Sequence, residues 1–172
     1  MHIPILLGTA RNGRNSEKAA NYMQKVTSEY GKTAGFTTEL LDVRHFDLLG
    51  TDNTERTERA KRWSEKMKSS DGLIIVSPEY NHGYPGELKT MLDEIFPEYA
   101  RKPLGICGVS KGGLGGVRMV EQLRLVAVEL HMVPIHAAVY FSNVLNLFDE
   151  RGAIKDPSYQ EKITKFLEEL AW

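Results

Sequence analysis

Two arginines and two hydroxyl side chains, Thr9, Arg11, Arg14 and Ser16, fall together in the stretch G-T-A-R-N-G-R-N-S at 8–16. Guanidinium groups supply charge-assisted donors and hydroxyls supply neutral ones, so the set suits an anion with several oxygens. The flanks say where that anion would sit. Ile3, Ile5, Leu6 and Leu7 form a short apolar run before Gly8, and Ala19, Ala20, Met23 and Val26 follow at helical spacing, which reads as strand, loop and helix. The first free N–H groups of such a helix point into the loop, and the helix dipole adds partial positive charge there. A phosphate is the natural occupant.

The loop has neither the lysine of G-x-x-x-x-G-K-[ST] nor the glycines of G-x-G-x-x-G. It carries only Gly8 and Gly13. Side chains rather than bared backbone would therefore do much of the gripping, which suits a terminal monophosphate better than a pyrophosphate. Taken alone, the loop also reads as a solvated, arginine-containing turn. Two further polar segments follow apolar runs, S-P-E-Y-N-H-G-Y-P-G at 77–86 and S-K-G-G-L-G at 110–115. In an open parallel sheet, ligands bind beyond the carboxyl ends of the strands where strand order reverses, and all three loops leave such ends. A phosphate loop, a loop with Tyr80 and Asn81, and a glycine-rich loop allowing close approach fit a flat aromatic ligand with a phosphate tail. Flavin mononucleotide (FMN) has that shape, with the Pro78–Asn81 backbone flanking its ring and Tyr80 packed near it.

The elements that must position these loops are legible as β-like runs alternating with helical ones, which predicts parallel α/β architecture. After the first run, a helix is expected from about Ser16 to Tyr30, closed by Gly31. A second strand follows over Phe36 to Val43, then a charged, turn-rich stretch from Arg44 to Glu55. Ala60, Trp63 and Met67 mark one face of a polar helix, and L-I-I-V at 73–76 reads as a central strand buried on both faces. Pro85 is placed as the first residue of a helix whose stripe is Leu88, Met91, Leu92 and Ile95, ended by Pro97. Pro103 to Val109 is the fourth strand. The helix from about Gly116 to Leu130 is apolar over much of its circumference, with Leu125 and Val128 beyond what one sheet needs, so part of it is expected to pack on another subunit. Met132 to Phe141 makes the fifth strand, Asn143 to Lys155 a loop with a small apolar patch. Asp156-Pro157 then opens a closing helix with Tyr159, Ile163, Phe166, Leu167 and Leu170 on its core stripe.

At 172 residues without repeats or a linker, the chain is expected to be one domain, 1–172. A net charge of −1 gives no global reason to expect nucleic acid or an anionic membrane surface. Cys107 is the single cysteine, so no intramolecular disulfide or multi-cysteine metal site is possible, and a reducing compartment is favoured. No apolar run nears the roughly 20 residues that span a bilayer, and the N-terminus lacks a signal pattern, so a cytoplasmic protein is expected. His2, His45, His131 and His136 have no metal spacing, and no metal site is expected. Asp42, Asp52 and Asp71 suggest a phospho-acceptor pocket, but such a pocket wants acids at the first strand's end, where Thr9 and Arg11 stand.

The segments at 8–16, at 77–93 (S-P-E-Y-N-H-G-Y-P-G-E-L-K-T-M-L-D) and at 108–118 (G-V-S-K-G-G-L-G-G-V-R) resemble the signature of the NADPH-dependent FMN reductase family, which includes quinone-, chromate- and azo-reducing members. The resemblance runs from Ile3 to about Ile135, and its P-E-Y-N and P-G-x-L-K segment is the specific part. It implies a flavodoxin-like three-layer α/β sandwich, a five-stranded parallel sheet in the order 2-1-3-4-5 with helices on both faces. It implies bound FMN, NADPH or NADH as co-substrate, and a small-molecule electron acceptor. By position, Thr9, Arg11 and Ser16 resemble the family's phosphate contacts, Pro78, Glu79, Tyr80 and Asn81 its flavin-ring loop, and Ser110, Gly112 and Gly113 its second ring-edge loop.

Many relatives carry serine where Arg14 stands and asparagine where Ser16 stands. Arg14 adds a charge that could serve the FMN phosphate or reach the 2′-phosphate of NADPH. His82 and Tyr84, beside the ring loop, are candidates for lining the substrate side, although a loop histidine is more often simply solvated. The expected reaction moves hydride from nicotinamide to flavin to acceptor in a ping-pong cycle, so no side chain is named as general acid or base. A homodimer or homotetramer is expected, packed through the third and fourth helices, whose apolar faces exceed one sheet's needs. The alternative is a flavodoxin-type electron carrier or a flavin-binding module without NADPH activity. Such carriers are markedly acidic, whereas this chain has a pI near 6.5.

Overall fold

The run at 73–76 is apolar at every position, so a strand made from it needs cover on both faces. In the computed structural model, which describes residues 1–46 and 57–171, it forms part of the central strand of a parallel sheet. The strands are β1 (Ile5–Leu7), β2 (Leu40–Asp42), β3 (Leu73–Pro78), β4 (Pro103–Val109) and β5 (Val133–Phe141). Their spatial order is β2-β1-β3-β4-β5, the flavodoxin-like arrangement. The helices are α1 (Ser16–Ala34), α2 (Glu58–Lys68), α3 (Gly86–Asp93), α4 (Val117–Glu129), a single turn α5 (Val144–Leu147) and α6 (Ser158–Ala171).

Alternation along the strands divides the core in two. Ile74 and Val76 join Ile5, Leu7 and Cys107 beneath α1 and α6. Leu73 and Ile75 join Leu6, Leu104 and Ile106 beneath α2, α3 and α4. Trp63 of α2 is fully buried, and its indole N–H donates to the Tyr99 hydroxyl at 2.6 Å, which removes the cost of burying that donor. Because both faces are covered, only the ends of the strands are open to a ligand. From β1 the chain passes to β2 on one side and later to β3 on the other. Strand order therefore reverses between β1 and β3.

The outer strand β5 carries a bulge opposite Gly105, where Ile135 to Ala137 oppose a single β4 residue. Two charged side chains close it. Arg124 of α4 donates to the carbonyls of Ile135 and His136, and Glu169 of α6 accepts the N–H groups of His136 and Ala137. With those groups occupied, this edge is a poor template for strand addition.

Several boundaries differ from the sequence expectation. Helix α1 runs through Gly31 and is capped by Gly35, the residue in the left-handed region at φ 76°. Gly31 is glycine for another reason, since a Cβ there would collide with the carbonyl oxygen of Phe36. Strand β2 keeps only Leu40–Asp42 and turns at once into a 3₁₀ turn over Val43–His45. The expected stretch Arg44 to Glu55 and Asp52 lie largely outside the described residues. Pro85 is the N-cap of α3 in extended conformation rather than its first residue. Ile95 lies past the end of α3, and Pro97 opens a 3₁₀ turn, Pro97–Tyr99. The segment from Asn143 to Lys155 contains α5 and a bridge between Phe148 and Ile154.

Among the described residues no helix is long and apolar enough to cross a membrane. Gly31→Ala is expected to lower the unfolding free energy by about 1–3 kcal/mol through overpacking, despite the roughly 1 kcal/mol by which alanine favours a helix. Urea unfolding measures this. A variant as stable as the parent would mean the Phe36 carbonyl yields freely.

Candidate functional site

A cleft of about 370 Å³ opens at the β1/β3 reversal, with Arg11, Ser16, Tyr80, Ser110, Lys111 and Val144 among its lining residues. Its floor at one end is the start of α1. Asn15, the N-cap, makes no side-chain hydrogen bond to the helix, so the first N–H groups of α1 are left without the usual capping partner. Ser16 is buried, and its Oγ has no partner. Among the described residues, the backbone N–H groups of Asn12 to Asn15 have no acceptor either. A buried hydroxyl beside free N–H groups at a helix start is a donor-rich site lacking an acceptor.

The three loops are tied to one another. The hydroxyl of Thr9, itself fully buried, lies 3.2 Å from that of Tyr80 and accepts the Arg11 N–H at 3.3 Å. The guanidinium of exposed Arg11 stands over the Tyr80 ring, 5.5 Å from its centroid. Tyr80 and Gly83 exchange both backbone hydrogen bonds, making a two-residue hairpin whose central residues, Asn81 and His82, have φ of 50° and 70°. This tight turn asks for positive φ at both places, which asparagine accepts readily and histidine only at a cost. The third loop is anchored to the end of β5: Ser110 N–H donates to Phe141, and the N–H groups of Asn143 and Val144 donate to Gly112 and Ser110.

Within that third loop the glycines have distinct uses. Gly115 and Gly116 hold φ of 61° and 87°, and a Cβ on either would crowd neighbouring backbone. Gly112 and Gly113 are under no such demand. A Cβ on Gly113 would meet nothing within 4 Å, and one on Gly112 only the Ser110 hydroxyl. The bare backbone there is therefore not explained by packing.

Two charged residues of the predicted set line the cleft but have their functional groups engaged by other residues. The Arg14 side chain is 2 % exposed. It makes a bidentate pair with both carboxylate oxygens of Asp42 and donates to the carbonyl of Thr9. Burial works against charge on both partners. The hydrogen bond and the attraction between them outweigh it, raising the Arg14 pKa and holding the Asp42 carboxyl below the usual range, where the Arg44 N–H helps. Glu79 likewise engages α4: its carboxylate accepts the backbone N–H of Arg118 at 3.2 Å and its Nε at 2.7 Å. Burial would raise the Glu79 pKa, but these bonds, a third from the Met119 N–H and the Arg118 charge bring it below the ordinary value.

Of the remaining predicted residues only Pro78 and Ser110 line the cleft, while Thr9, Asn81, His82, Tyr84, Gly112 and Gly113 are not among its lining residues. Pro78 is buried at its wall, Asn81 and His82 are exposed at the hairpin tip, and Tyr84 is half-buried against the core under α4. Cys107 is fully buried in β4, and burial pushes its thiol pKa up. Among the described residues no cluster of acidic, histidine or cysteine side chains could hold a metal.

A profile of the NADPH-dependent FMN reductase family matches residues 1–146. The chain is 34 % identical over 140 residues to an NAD(P)H-dependent FMN reductase of Schizosaccharomyces pombe, covering 76 % of this chain and 67 % of that one. The chain belongs to the NADPH-dependent FMN reductase family. It is also 24 % identical over 178 residues to a 2-hydroxy-1,4-benzoquinone reductase of a Burkholderia species, covering 99 % and 94 %. The flavoenzyme FerB of Paracoccus denitrificans, an NAD(P)H:acceptor oxidoreductase, superposes with a TM-score of 0.82 at 19 % identity, covering 98 % and 96 %.

As an FMN reductase family member the protein is an oxidoreductase that uses FMN and NAD(P)H, and its own residues can be tested against FMN. They fit at both ends. The orphaned Ser16 Oγ and free N–H groups lack an acceptor that a phosphate would supply, and next to the lining residues Ser110 and Lys111 the backbone of Gly112 and Gly113 is bare without a packing reason. Lys111 and Val144 also line this cleft. Lys111 stands in the quoted family segment but has no distinguishing local pattern. Val144 belongs to an apolar patch visible in the sequence, but only the β5 turn carries it to the site.

Because the folded Glu79 pKa is depressed, its ion pair contributes stability above the ordinary glutamate range, and that contribution is lost as pH falls through the folded value. Glu79→Gln is expected to cost about 1 kcal/mol at pH 7, discounted for the half-exposed Arg118. The difference from the parent should shrink as the pH drops below the ordinary carboxylate range. Urea unfolding across that range measures it, and a gap that widens toward acid would invert the assignment.

Proposed function

We propose that this protein passes hydride from NADPH or NADH, by way of FMN held in the cleft, to a quinone or similar small-molecule acceptor. The single observation that carries the reading is the convergence of an uncapped helix start, the unpartnered Ser16 hydroxyl and exposed Arg11 with the Tyr80 hairpin and the loop that begins at Ser110. When bound, FMN supplies hydride acceptance and release. Thr9, Arg11, Ser16 and the loop N–H groups hold its phosphate. The backbone of Pro78 to Asn81 flanks one side of the ring, Tyr80 packs beside it, and Ser110, Gly112 and Gly113 approach its edge. Glu79 acts through its backbone, its carboxylate being committed to Arg118. His82 and Tyr84 line the substrate side. Nicotinamide and acceptor use the same opening in turn, giving ping-pong kinetics, and the chain works as one flavodoxin-like unit over 1–172.

The acceptor class is supported by the benzoquinone reductase relative. Purified protein supplemented with FMN and desalted is expected to remain yellow and to oxidise NAD(P)H rapidly when a quinone is added. A colourless protein sinks the proposal; a yellow one inert toward both nicotinamides is an electron carrier instead. Arg11→Ala is expected to weaken FMN binding by about 1.5–3 kcal/mol, the worth of a charged hydrogen bond. Unchanged affinity would remove Arg11 from the phosphate site.

We also propose that the protein is a homodimer or homotetramer built on α4. The sequence expectation gave α3 a part in this, but Leu88, Met91 and Leu92 are all buried under their own sheet. On α4, Leu125 is 74 % and Val128 62 % exposed, apolar surface whose covering by a second copy is favourable. Sedimentation at micromolar concentration should give a dimer or larger species. A monomer overturns it.

A further inference from the structure

Arg14 and Arg44 both aim at the back of the phosphate loop. The Arg14 guanidinium donates to the carbonyl of Thr9, and the Arg44 guanidinium to the carbonyl of Ala10, at 3.2 Å, and to that of Arg11. Asp42, at the end of β2, holds both: its Oδ1 accepts from Arg14 at 2.8 Å and from the Arg44 backbone N–H at 3.0 Å. Three successive carbonyls thus face the β2 side of the loop. A peptide unit is planar and trans, so a carbonyl turned one way sends the N–H of the same unit the other way. The units whose carbonyls are Thr9, Ala10 and Arg11 carry the N–H groups of Ala10, Arg11 and Asn12, of which that of Arg11 is taken by the Thr9 hydroxyl at 3.3 Å. Fixing these dihedrals also limits the run that follows, Gly13 to Asn15, whose N–H groups have no acceptor among the described residues.

We propose that Arg14, Asp42 and Arg44 form a brace that pre-organises the phosphate loop, so that Arg14 and Arg44 act on the cofactor phosphate as positioning residues rather than as its ligands. The proposal rests on the reading of the cleft as an FMN phosphate site. A loop whose N–H groups already converge loses less conformational freedom on binding an anion than a slack one, which appears as affinity. The division of labour follows from exposure. Arg11 is exposed at the cleft, whereas Arg14 is buried with its donors used. An arginine 2 % exposed and paired to a carboxylate cannot turn outward without leaving that carboxylate unpaired.

The test compares FMN with riboflavin, which has the same ring and no phosphate, by titrating each into apoprotein and following flavin fluorescence. Arg44 is exposed, so Arg44→Met leaves the fold intact and is the decisive variant; Asp42→Asn is the second. Arg44→Met is expected to weaken FMN binding about tenfold and leave riboflavin unchanged. Arg44→Lys, able to reach one carbonyl, should recover part of the loss. In the same apoprotein variants, hydrogen exchange at the Asn12 to Asn15 amides should quicken. If the parent prefers FMN but Arg44→Met and Asp42→Asn keep that preference and the parent's exchange rates, the brace is refuted. An equal loss for both flavins, accompanied by a lower Tm, assigns these residues to general stability and also refutes it. A parent that binds both flavins equally removes the phosphate site itself, and the brace with it.

Discussion

A parallel sheet buried on both faces has nowhere to do chemistry except at its ends, and this constraint organises the protein. β3 is buried at all six positions, so α1 and α6 must cover one side and α2, α3 and α4 the other. Parallel strands then deliver every strand-to-helix loop to one rim. The rim also collects helix starts, each with unsatisfied N–H groups and partial positive charge. A preference for an anionic group at this rim follows from the fold's electrostatics before any particular side chain is considered. The side chains refine a site that the backbone has already made favourable.

Charge is used at this rim in two ways that the composition does not separate. Arg11 stands free at the cleft, stacked on Tyr80. Arg14 is taken out of water and matched to Asp42. A buried guanidinium is tolerated because its donors are met by a bidentate carboxylate, a backbone carbonyl and Glu17 at 3.5 Å. Such a pair adds little net stability compared with an apolar one, but it has direction, and direction is what a loop needs in order to present its N–H groups. Glu79 does the equivalent for the hairpin by fixing it to the start of α4.

The hairpin itself carries a local cost. His82 sits at φ 70° in a turn position better suited to glycine or asparagine. Nothing in the packing of the described residues requires a histidine there, since its side chain is exposed.

How much could be read without coordinates depended on the range of the interactions involved. Strand β4 was legible to the residue, and the three loops were placed at the right strand ends, because apolar periodicity and punctuating glycines and prolines act over a few neighbouring residues. The end of α1 was misplaced, since the glycine that looked like a cap at 31 is set by contact with Phe36 while Gly35 performs the capping. The sequence by itself determined an α/β chain with a phosphate-suited loop after its first strand and a family signature over its middle. Only the tertiary structure decided which arginine faces the cleft, because Asp42 is 28 residues from Arg14 and Arg118 is 39 from Glu79. Those partners meet through strand order, and no local pattern of residues encodes which strand will lie beside which.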